Sequence, residues 1–112
     1  MNKKTLIIQY EDNAIEELIN YHKSEDKRYR KLKSNAQFLQ DLDKVMAIIR
    51  AVSNTAELSN HKKLNYKPLQ YDLSGYSSVR IGFTSKYRLI FEEFDSGIRI
   101  KLIEINEHYG DK

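Results

Sequence analysis

Three short stretches in the second half of the chain alternate apolar and polar residues, and this alternation constrains the fold more than any other feature. The apolar positions share one parity, being Val79, Ile81, Phe83, Tyr87, Leu89, Phe91, Ile103 and Ile105. A period of two is that of a β-strand, whose successive side chains point to opposite faces of a sheet. Residues 73–109 are therefore predicted to form antiparallel strands with one apolar and one polar face.

The shared parity also predicts the register between these strands. Neighbouring strands bury their odd positions on the same face only when opposed residue numbers sum to an even value. A turn at residues 84–85 then puts Arg80 opposite or diagonal to Arg88. A second turn at residues 95–97 predicts that Arg88 pairs with Glu104. Two guanidinium groups are thus expected on the polar face.

A pair of arginines on one sheet face has two interpretations. The first is an ordinary solvated face, whose charged side chains pair across the strands. The second is an anion site, because adjacent guanidinium groups repel each other unless an anion lies between them. Guanidinium is planar and permanently charged, which suits it to binding phosphate. The residues alone leave both interpretations open.

Length and composition limit the class of protein. The 112 residues are enough for one domain, which we expect to extend over residues 1–112. The absence of Cys excludes disulfides, Cys-ligated zinc and thiol catalysis. No apolar run approaches the length of a membrane span, and the apolar segment near the start is too short for a signal peptide. We therefore expect a cytoplasmic protein with no membrane partner.

The sequence contains no recognisable metal or cofactor site. His22, His61 and His108 lie far apart, and no HxxxH or HExxH spacing occurs. The four glycines are isolated and do not form a phosphate-binding loop. The expectation is a protein that uses neither a metal nor a cofactor.

The first half of the chain predicts one strand and two helices. Residues 5–10 are β-rich, and a helix is expected to begin after residues 12–13 and to continue towards Tyr29 and Leu32. A second helix should begin after residues 34–35. Its apolar stripe, predicted to pack against the sheet, consists of Phe38, Leu39, Leu42, Val45, Met46, Ile49 and Val52.

The segment from residue 61 to 71 interleaves basic and aromatic residues around the only proline. The residues concerned are Lys62, Lys63, Tyr66, Lys67 and Tyr71. Basic groups hold phosphates and aromatic rings stack on unpaired bases, a combination that suits single-stranded RNA. The alternative is a solvated loop whose tyrosines pack over the edge of the core.

Three motifs follow one another from Pro68 to Tyr109: PLQYDLSGYSSVRI, then KYRLIFEEFDSG, then an apolar strand that ends in EHYG. Their order resembles the RelE/ParE superfamily of toxins from bacterial type II toxin-antitoxin systems. The resemblance is nearest to YoeB-like and RelE-like members, with a HigB-like ending. It implies an α+β fold in which an N-terminal strand and two antiparallel helices accompany a twisted, mainly antiparallel four-stranded sheet. The helices would cover one sheet face and leave the other open to RNA.

The resemblance further implies a function. Such toxins are metal-independent endoribonucleases that cut messenger RNA in the ribosomal A site, and a cognate antitoxin protein holds them inactive. The implied partners are therefore the antitoxin, messenger RNA and the ribosome with its ribosomal RNA. Arg88 matches the arginine that contacts the scissile phosphate, and Arg80 matches a second basic position. His108 matches the general acid, and Tyr109 matches the tyrosine that orients or stacks on the nucleotide.

One position departs from the YoeB-like pattern and leaves the general base open. Lys67 stands where YoeB-like toxins have a glutamate. RelE-like toxins rely on lysines in this region, so Lys67 together with Lys63 either stabilises charge or accepts the proton. Glu104 is a weaker candidate, because a carboxylate beside Arg88 would be a poor base.

Two further functions compete with the nuclease. A ParE-like protein would bind DNA gyrase without catalysing a reaction, and the His-Tyr ending counts against it. An inactive relative would bind RNA, or sequester an antitoxin, without being toxic.

Overall fold

One mixed sheet with two α-helices makes up the computed structural model, which describes residues 4–70, 74–82 and 86–107. In these ranges the sheet has five strands in the order β1-β5-β4-β3-β2. β1 is parallel to β5, and the other neighbouring strands are antiparallel. The elements are β1 (Ile7–Tyr10), α1 (Asn13–Tyr21), α2 (Ala36–Ala51), β2 (Lys67–Pro68), β3 (Tyr76–Arg80), β4 (Tyr87–Phe94) and β5 (Arg99–Glu107).

The predicted α+β architecture is confirmed, with one more strand than expected. The additional strand is β2, which has only two residues and pairs with β3 at the edge of the sheet. Its shortness explains why the periodicity of the sequence did not reveal it. Within the described ranges, no helix is both long and apolar enough to cross a membrane.

Side-chain caps begin both helices where the sequence predicts. The Asp12 carboxylate accepts a hydrogen bond from the Ile15 amide, and the Asn35 side chain accepts one from the Phe38 amide, each at 3.0 Å. These bonds satisfy amides that have no partner within the helix. The order of two hydrogen bonds agrees with antiparallel helices. Arg50, near the end of α2, bonds Asn20 of α1, and Asp43, seven positions earlier in α2, bonds His22, which follows α1.

The expected continuation of the first helix to Tyr29 and Leu32 is wrong. α1 ends at Tyr21, because His22 adopts the left-handed conformation with φ of 57°. Short 3₁₀ turns at residues 27–29 and 32–34 follow instead. Tyr29 and Leu32 are nevertheless buried, so their apolar character reflects packing in the core and not a continuous helix.

The core lies between the helices and the odd-numbered face of β3 and β4. The sheet contributes Val79, Ile81, Leu89 and Phe91, all fully buried. In the predicted stripe, Leu39 is only partly buried, and the buried members are Phe38, Leu42, Val45, Met46, Ile49 and Val52. The apolar periodicities of strand and helix thus meet in one interface.

The register between β3 and β4 agrees with the prediction from parity. Val79 lies opposite Leu89, and Arg80 lies directly opposite Arg88. The turn expected at residues 84–85 lies outside the described residues.

The predicted register between β4 and β5 is wrong by two residues. The loop between these strands has four residues, 95–98, where three were expected. A β-bulge then leaves Ile103 without a paired residue, so that Ile90 pairs with Glu104 and Phe91 with Leu102. Each irregularity adds one residue to the offset. Arg88 consequently lies opposite Asn106 instead of Glu104.

The side chain of Tyr29 brings a polar group into the core. The residue is 0% exposed, and burial raises the pKa of its hydroxyl to about 12. The hydroxyl faces the backbone of Ile105 but makes no hydrogen bond of ordinary geometry with the described residues. A buried hydroxyl without a partner costs stability.

We expect Tyr29→Phe to stabilise the fold by about 1 kcal/mol at pH 7, because it removes that hydroxyl. The gain should widen at high pH. Above about pH 10 the unfolded tyrosine loses a proton that the folded one keeps until about pH 12, so wild-type stability falls as pH rises through this window. Urea unfolding at pH 7 and pH 10.5 measures both effects. The exposed Tyr21, changed to Phe, is the control; a loss of stability in Tyr29→Phe at pH 7 would contradict the prediction.

Candidate functional site

Arg80 and Arg88 form the centre of the candidate site. They end β3 and begin β4 respectively, and they are direct partners in the antiparallel register. Opposed residues of two paired strands project from the same face of a sheet. The Cα–Cβ bonds of both residues therefore point to the face opposite to the helices, and Arg80 does so at the very end of β3.

Hydrogen bonds to two described residues, Ser78 and Asn65, hold the guanidinium of Arg88. Its Nε donates to Ser78 Oγ at 3.0 Å, and its Nη2 donates to the carbonyl oxygen of Asn65 at 2.9 Å. Ser78 lies on β3 and Asn65 precedes β2, so the side chain extends across β3 towards the sheet edge. The bonds fix the plane of the guanidinium, which reduces the entropy lost when it grips an anion.

The face that carries Arg88 is less open than expected. Arg88 is 6% exposed, and Ser78 and Ile90 on the same face are almost completely buried. One reason is that the arginine side chain lies flat on the strands instead of pointing into solvent. Arg80 remains half-buried at the strand end.

Lys67 lies on the same face as the two arginines. It is half-buried on β2 and pairs directly with Ser78 of β3, whose hydroxyl accepts the bond from Arg88. The fold therefore brings together three of the predicted catalytic residues, which are up to 21 positions apart in the sequence.

Lys62 and Lys63 are exposed on the 3₁₀ turn at residues 62–64, which leads into β2. Lys63 and Arg80 line the same cleft. Lys63 thus adds positive charge beside Arg80, and RNA binding by Lys62 and Lys63 stays a prediction.

Tyr66 contacts the protein core. Its ring stacks on Phe91 with the ring centroids 6.3 Å apart, and its hydroxyl donates to Glu93 Oε2 at 2.5 Å. Burial, and then the bond to Glu93, raises the pKa of this tyrosine. The arrangement matches the alternative interpretation of a tyrosine packed over the core edge. Base stacking by Tyr66 stays a prediction, and it would require the ring to leave Phe91.

Among the described residues, three side chains donate hydrogen bonds to Glu93. Thr55 Oγ1 donates to it at 2.7 Å, and the hydroxyls of Tyr66 and Ser77 donate to its other oxygen. This Glu93 cluster connects β3, β4 and the segment before β2. The cluster fixes the position of Tyr66. Its two neighbours in the sequence are Asn65, which accepts the hydrogen bond from Arg88, and Lys67.

Glu104 is not the neighbour of Arg88 that the sequence predicted. It lies opposite Ile90, is half-buried and accepts a 3.3 Å hydrogen bond from Asn106. Glu104 therefore lies diagonal to Arg88 on the same sheet face, and not directly opposite it. Lys67 with Lys63, and Glu104 as the weaker candidate, stay the predicted choices for the general base.

Three predicted site residues, Tyr71, His108 and Tyr109, lie outside the described residues. β5 extends to Glu107, the position before His108. Their proposed roles stay predictions from the sequence.

Sequence reasoning missed Ser78 and Asn65, the residues that hold Arg88. A signal existed for each. Ser78 shares the parity of Arg80 and Arg88, and Asn is one of the residues that tolerate the left-handed conformation, which Asn65 adopts with φ of 47°. What the sequence does not show is that the backbone oxygen of Asn65 meets a side chain 23 positions away.

The described ranges contain no group of three His, Asp or Glu side chains that could hold a metal ion.

Comparison with known proteins gives a fold likeness. No protein-family model matches the sequence, and no curated protein matches it. A chain of the archaeal RelE-RelB complex from Pyrococcus horikoshii OT3 has a TM-score of 0.57 at 13% identity, with 95% of this chain and 98% of that chain covered. A chain of the E. coli DinJ-YafQ toxin-antitoxin complex has a TM-score of 0.55 at 15% identity, with 93% of each chain covered. The YoeB/ParE toxin from Agrobacterium tumefaciens has a TM-score of 0.53 at 16% identity, with 93% and 100% covered. At such identities the likeness establishes a shared fold.

Proposed function

We propose that this chain, which has the fold of RelE/ParE-type toxins, is the toxin of a type II toxin-antitoxin system and cleaves messenger RNA in the ribosomal A site. The observation that carries the proposal is the direct opposition of Arg80 and Arg88 on one sheet face. Two adjacent guanidiniums are stable when an anion lies between them, and the scissile phosphate of RNA is such an anion.

Cleavage proceeds by attack of the ribose 2′-oxygen on the adjacent phosphorus, with departure of the 5′-oxygen. Arg80 and Arg88 bind the phosphate and stabilise the additional negative charge of the phosphorane. Because Ser78 and Asn65 already hold Arg88, little reorganisation is needed as that charge develops.

The proton transfers involve the remaining proposed residues. His108 protonates the departing 5′-oxygen, and Tyr109 orients the nucleotide. Lys67 lies on the face of the arginines, where it either stabilises charge or accepts the 2′ proton, with Glu104 as the other candidate base. Lys62 and Lys63 bind neighbouring phosphates of the strand. The reaction is proposed to need no metal and no cofactor.

The proposed partners are a small antitoxin, the messenger and the ribosome. The antitoxin is proposed to cover the sheet face that carries Arg80, Arg88 and Lys67 with an acidic or amphipathic segment. The toxin-antitoxin complexes among the similar structures support such a partner.

Induced expression of the wild-type chain should arrest growth, and primer extension on a reporter messenger should reveal cuts within codons. His108→Ala should lose both effects at equal protein level, because the leaving group then has no acid. Coexpression of the antitoxin, usually encoded beside the toxin, should restore growth.

Arrest that persists in His108→Ala without any messenger cleavage would overturn the nuclease proposal. A supercoiling assay with purified DNA gyrase then tests the ParE-like alternative. Unimpaired growth with the wild-type chain at high expression would instead indicate the inactive RNA-binding relative.

A further inference from the structure

A cleft of about 250 Å³ lies where α2, the turn at residues 62–64 and the end of β3 meet. One face of α2 lines it through Asp41, Lys44, Val45 and Ile48, which have the i, i+3, i+4, i+7 spacing of a helix. The remaining lining comes from the turn and from the strand end. The cleft is therefore assembled from three elements that are distant in the sequence.

The floor of the cleft is apolar. Val45 and Leu64 are buried, and Ile48 is partly buried against the core. These side chains are packed in place by the fold, so the floor forms before any ligand arrives. A flat, uncharged group such as a base or the carbon face of a sugar suits this surface.

The rim of the cleft is cationic. It carries Lys44, Lys63 and Arg80 against one carboxylate, that of Asp41, which accepts a 3.1 Å hydrogen bond from Gln37. Lys44 and Lys63 are exposed, and neither has a hydrogen bond or ion pair with the described residues. A ligand with an apolar ring and a negative charge matches both the floor and the rim.

Arg80 belongs to both the cleft and the proposed active site, because it is the last residue of β3: it lies opposite Arg88 in the sheet and lines the cleft where the strand ends. We infer that the cleft is a subsite for one nucleotide that flanks the phosphate held by Arg80 and Arg88. The base or sugar lies on Val45, Ile48 and Leu64, and Lys44 and Lys63 bind the phosphate of that nucleotide. This inference rests on the proposed function and adds a substrate contact, Lys44, that the sequence did not indicate.

The volume supports a single nucleotide as the occupant. Sites for whole small-molecule ligands begin at about 300 Å³, and this cleft is slightly smaller. One base with its sugar is therefore a better fit than two stacked nucleotides.

The test measures binding of uncleavable 2′-O-methyl oligoribonucleotides, two to five nucleotides long, by fluorescence anisotropy. Lys44→Gln should weaken binding of the longer oligomers by about fivefold. The slope of log K against log salt concentration should decrease in magnitude by about 0.7, which is the contribution of one phosphate contact on a single strand. Binding of the dinucleotide should change little. The matched control is Lys4→Gln, an exposed lysine before β1 at the opposite sheet edge, which should bind as the wild type does.

A second measurement uses programmed ribosomes. Lys44→Gln should need a higher toxin concentration for half-maximal cleavage, with little change in the maximal rate. If wild type and Lys44→Gln bind and cleave equally, the subsite is refuted while the proposed function stands. If Lys44→Gln weakens only antitoxin binding, the cleft belongs to a protein interface and the inference is overturned. If the wild type itself neither binds RNA nor cleaves, the proposed function fails, and the subsite fails with it.

Discussion

Arg88→Ala is expected to lower messenger cleavage on programmed ribosomes by at least about a hundredfold, the typical cost of losing one donor to a developing negative charge. Growth arrest should disappear with it. The reason is that Arg88 is the guanidinium whose plane is already fixed by Ser78 and Asn65, beside Arg80. Arg88→Lys should recover only part of the rate, because an ammonium keeps the charge but not the planar fork.

Two controls separate the chemical effect from a folding effect. Arg88 is almost fully buried, so its loss leaves Ser78 and Asn65 without their donor, and each variant needs an unfolding curve. Arg99→Ala removes an arginine that bonds Asp95 and Gln9. Arg99 lies opposite Phe94, at the other end of the β4–β5 pair from Arg88, so this variant should cleave as the wild type does. Normal cleavage by a folded Arg88→Ala protein would show that Arg88 takes no part in the reaction.

Glu93→Ala should destabilise the fold by about 3 kcal/mol, because three hydroxyl groups lose their common acceptor. The donors, Thr55, Tyr66 and Ser77, are buried or half-buried, so water replaces the carboxylate poorly. The urea midpoint should fall by roughly 1–2 M. Glu93→Gln, which retains one oxygen acceptor, should cost about half as much.

The neighbouring residue supplies the matched control. Glu92 projects from the other face of β4, and its closest ion-pair contact is Lys101 at 4.0 Å. Glu92→Ala should change stability by less than about 0.5 kcal/mol, since such partly exposed pairs contribute little. Equal effects of Glu92→Ala and Glu93→Ala would show that the Glu93 cluster does not stabilise the fold.

Features that depend on near neighbours along the chain were predictable. Asp12 and Asn35 cap their helices because a short polar side chain reaches an amide three positions ahead. The opposition of Arg80 and Arg88 follows from the parity of buried positions on two adjacent strands. In each case the deciding geometry is a repeat of 3.6 or 2 residues, which the sequence displays directly.

Irregular steps in the backbone were not predictable in the same way. The four-residue loop before β5 and the bulge at Ile103 each shift the register by one residue, and together they exchange Glu104 for Asn106 as the partner of Arg88. A bulge is decided by how a strand fits the sheet twist and the core beneath it. The alternation of apolar and polar residues does not show where a bulge occurs.

By itself, the sequence determined the strand and helix periodicities, the helix caps and the pairing of the two arginines. Only the tertiary structure decided what surrounds that pair. The bonds from Arg88 to Ser78 and Asn65, and from Tyr66 to Glu93, join residues 10, 23 and 27 positions apart. Such contacts depend on how the sheet edge, the turn at residues 62–64 and α2 pack together. Periodicity describes one element at a time, whereas a site that draws on several elements exists only once they are packed.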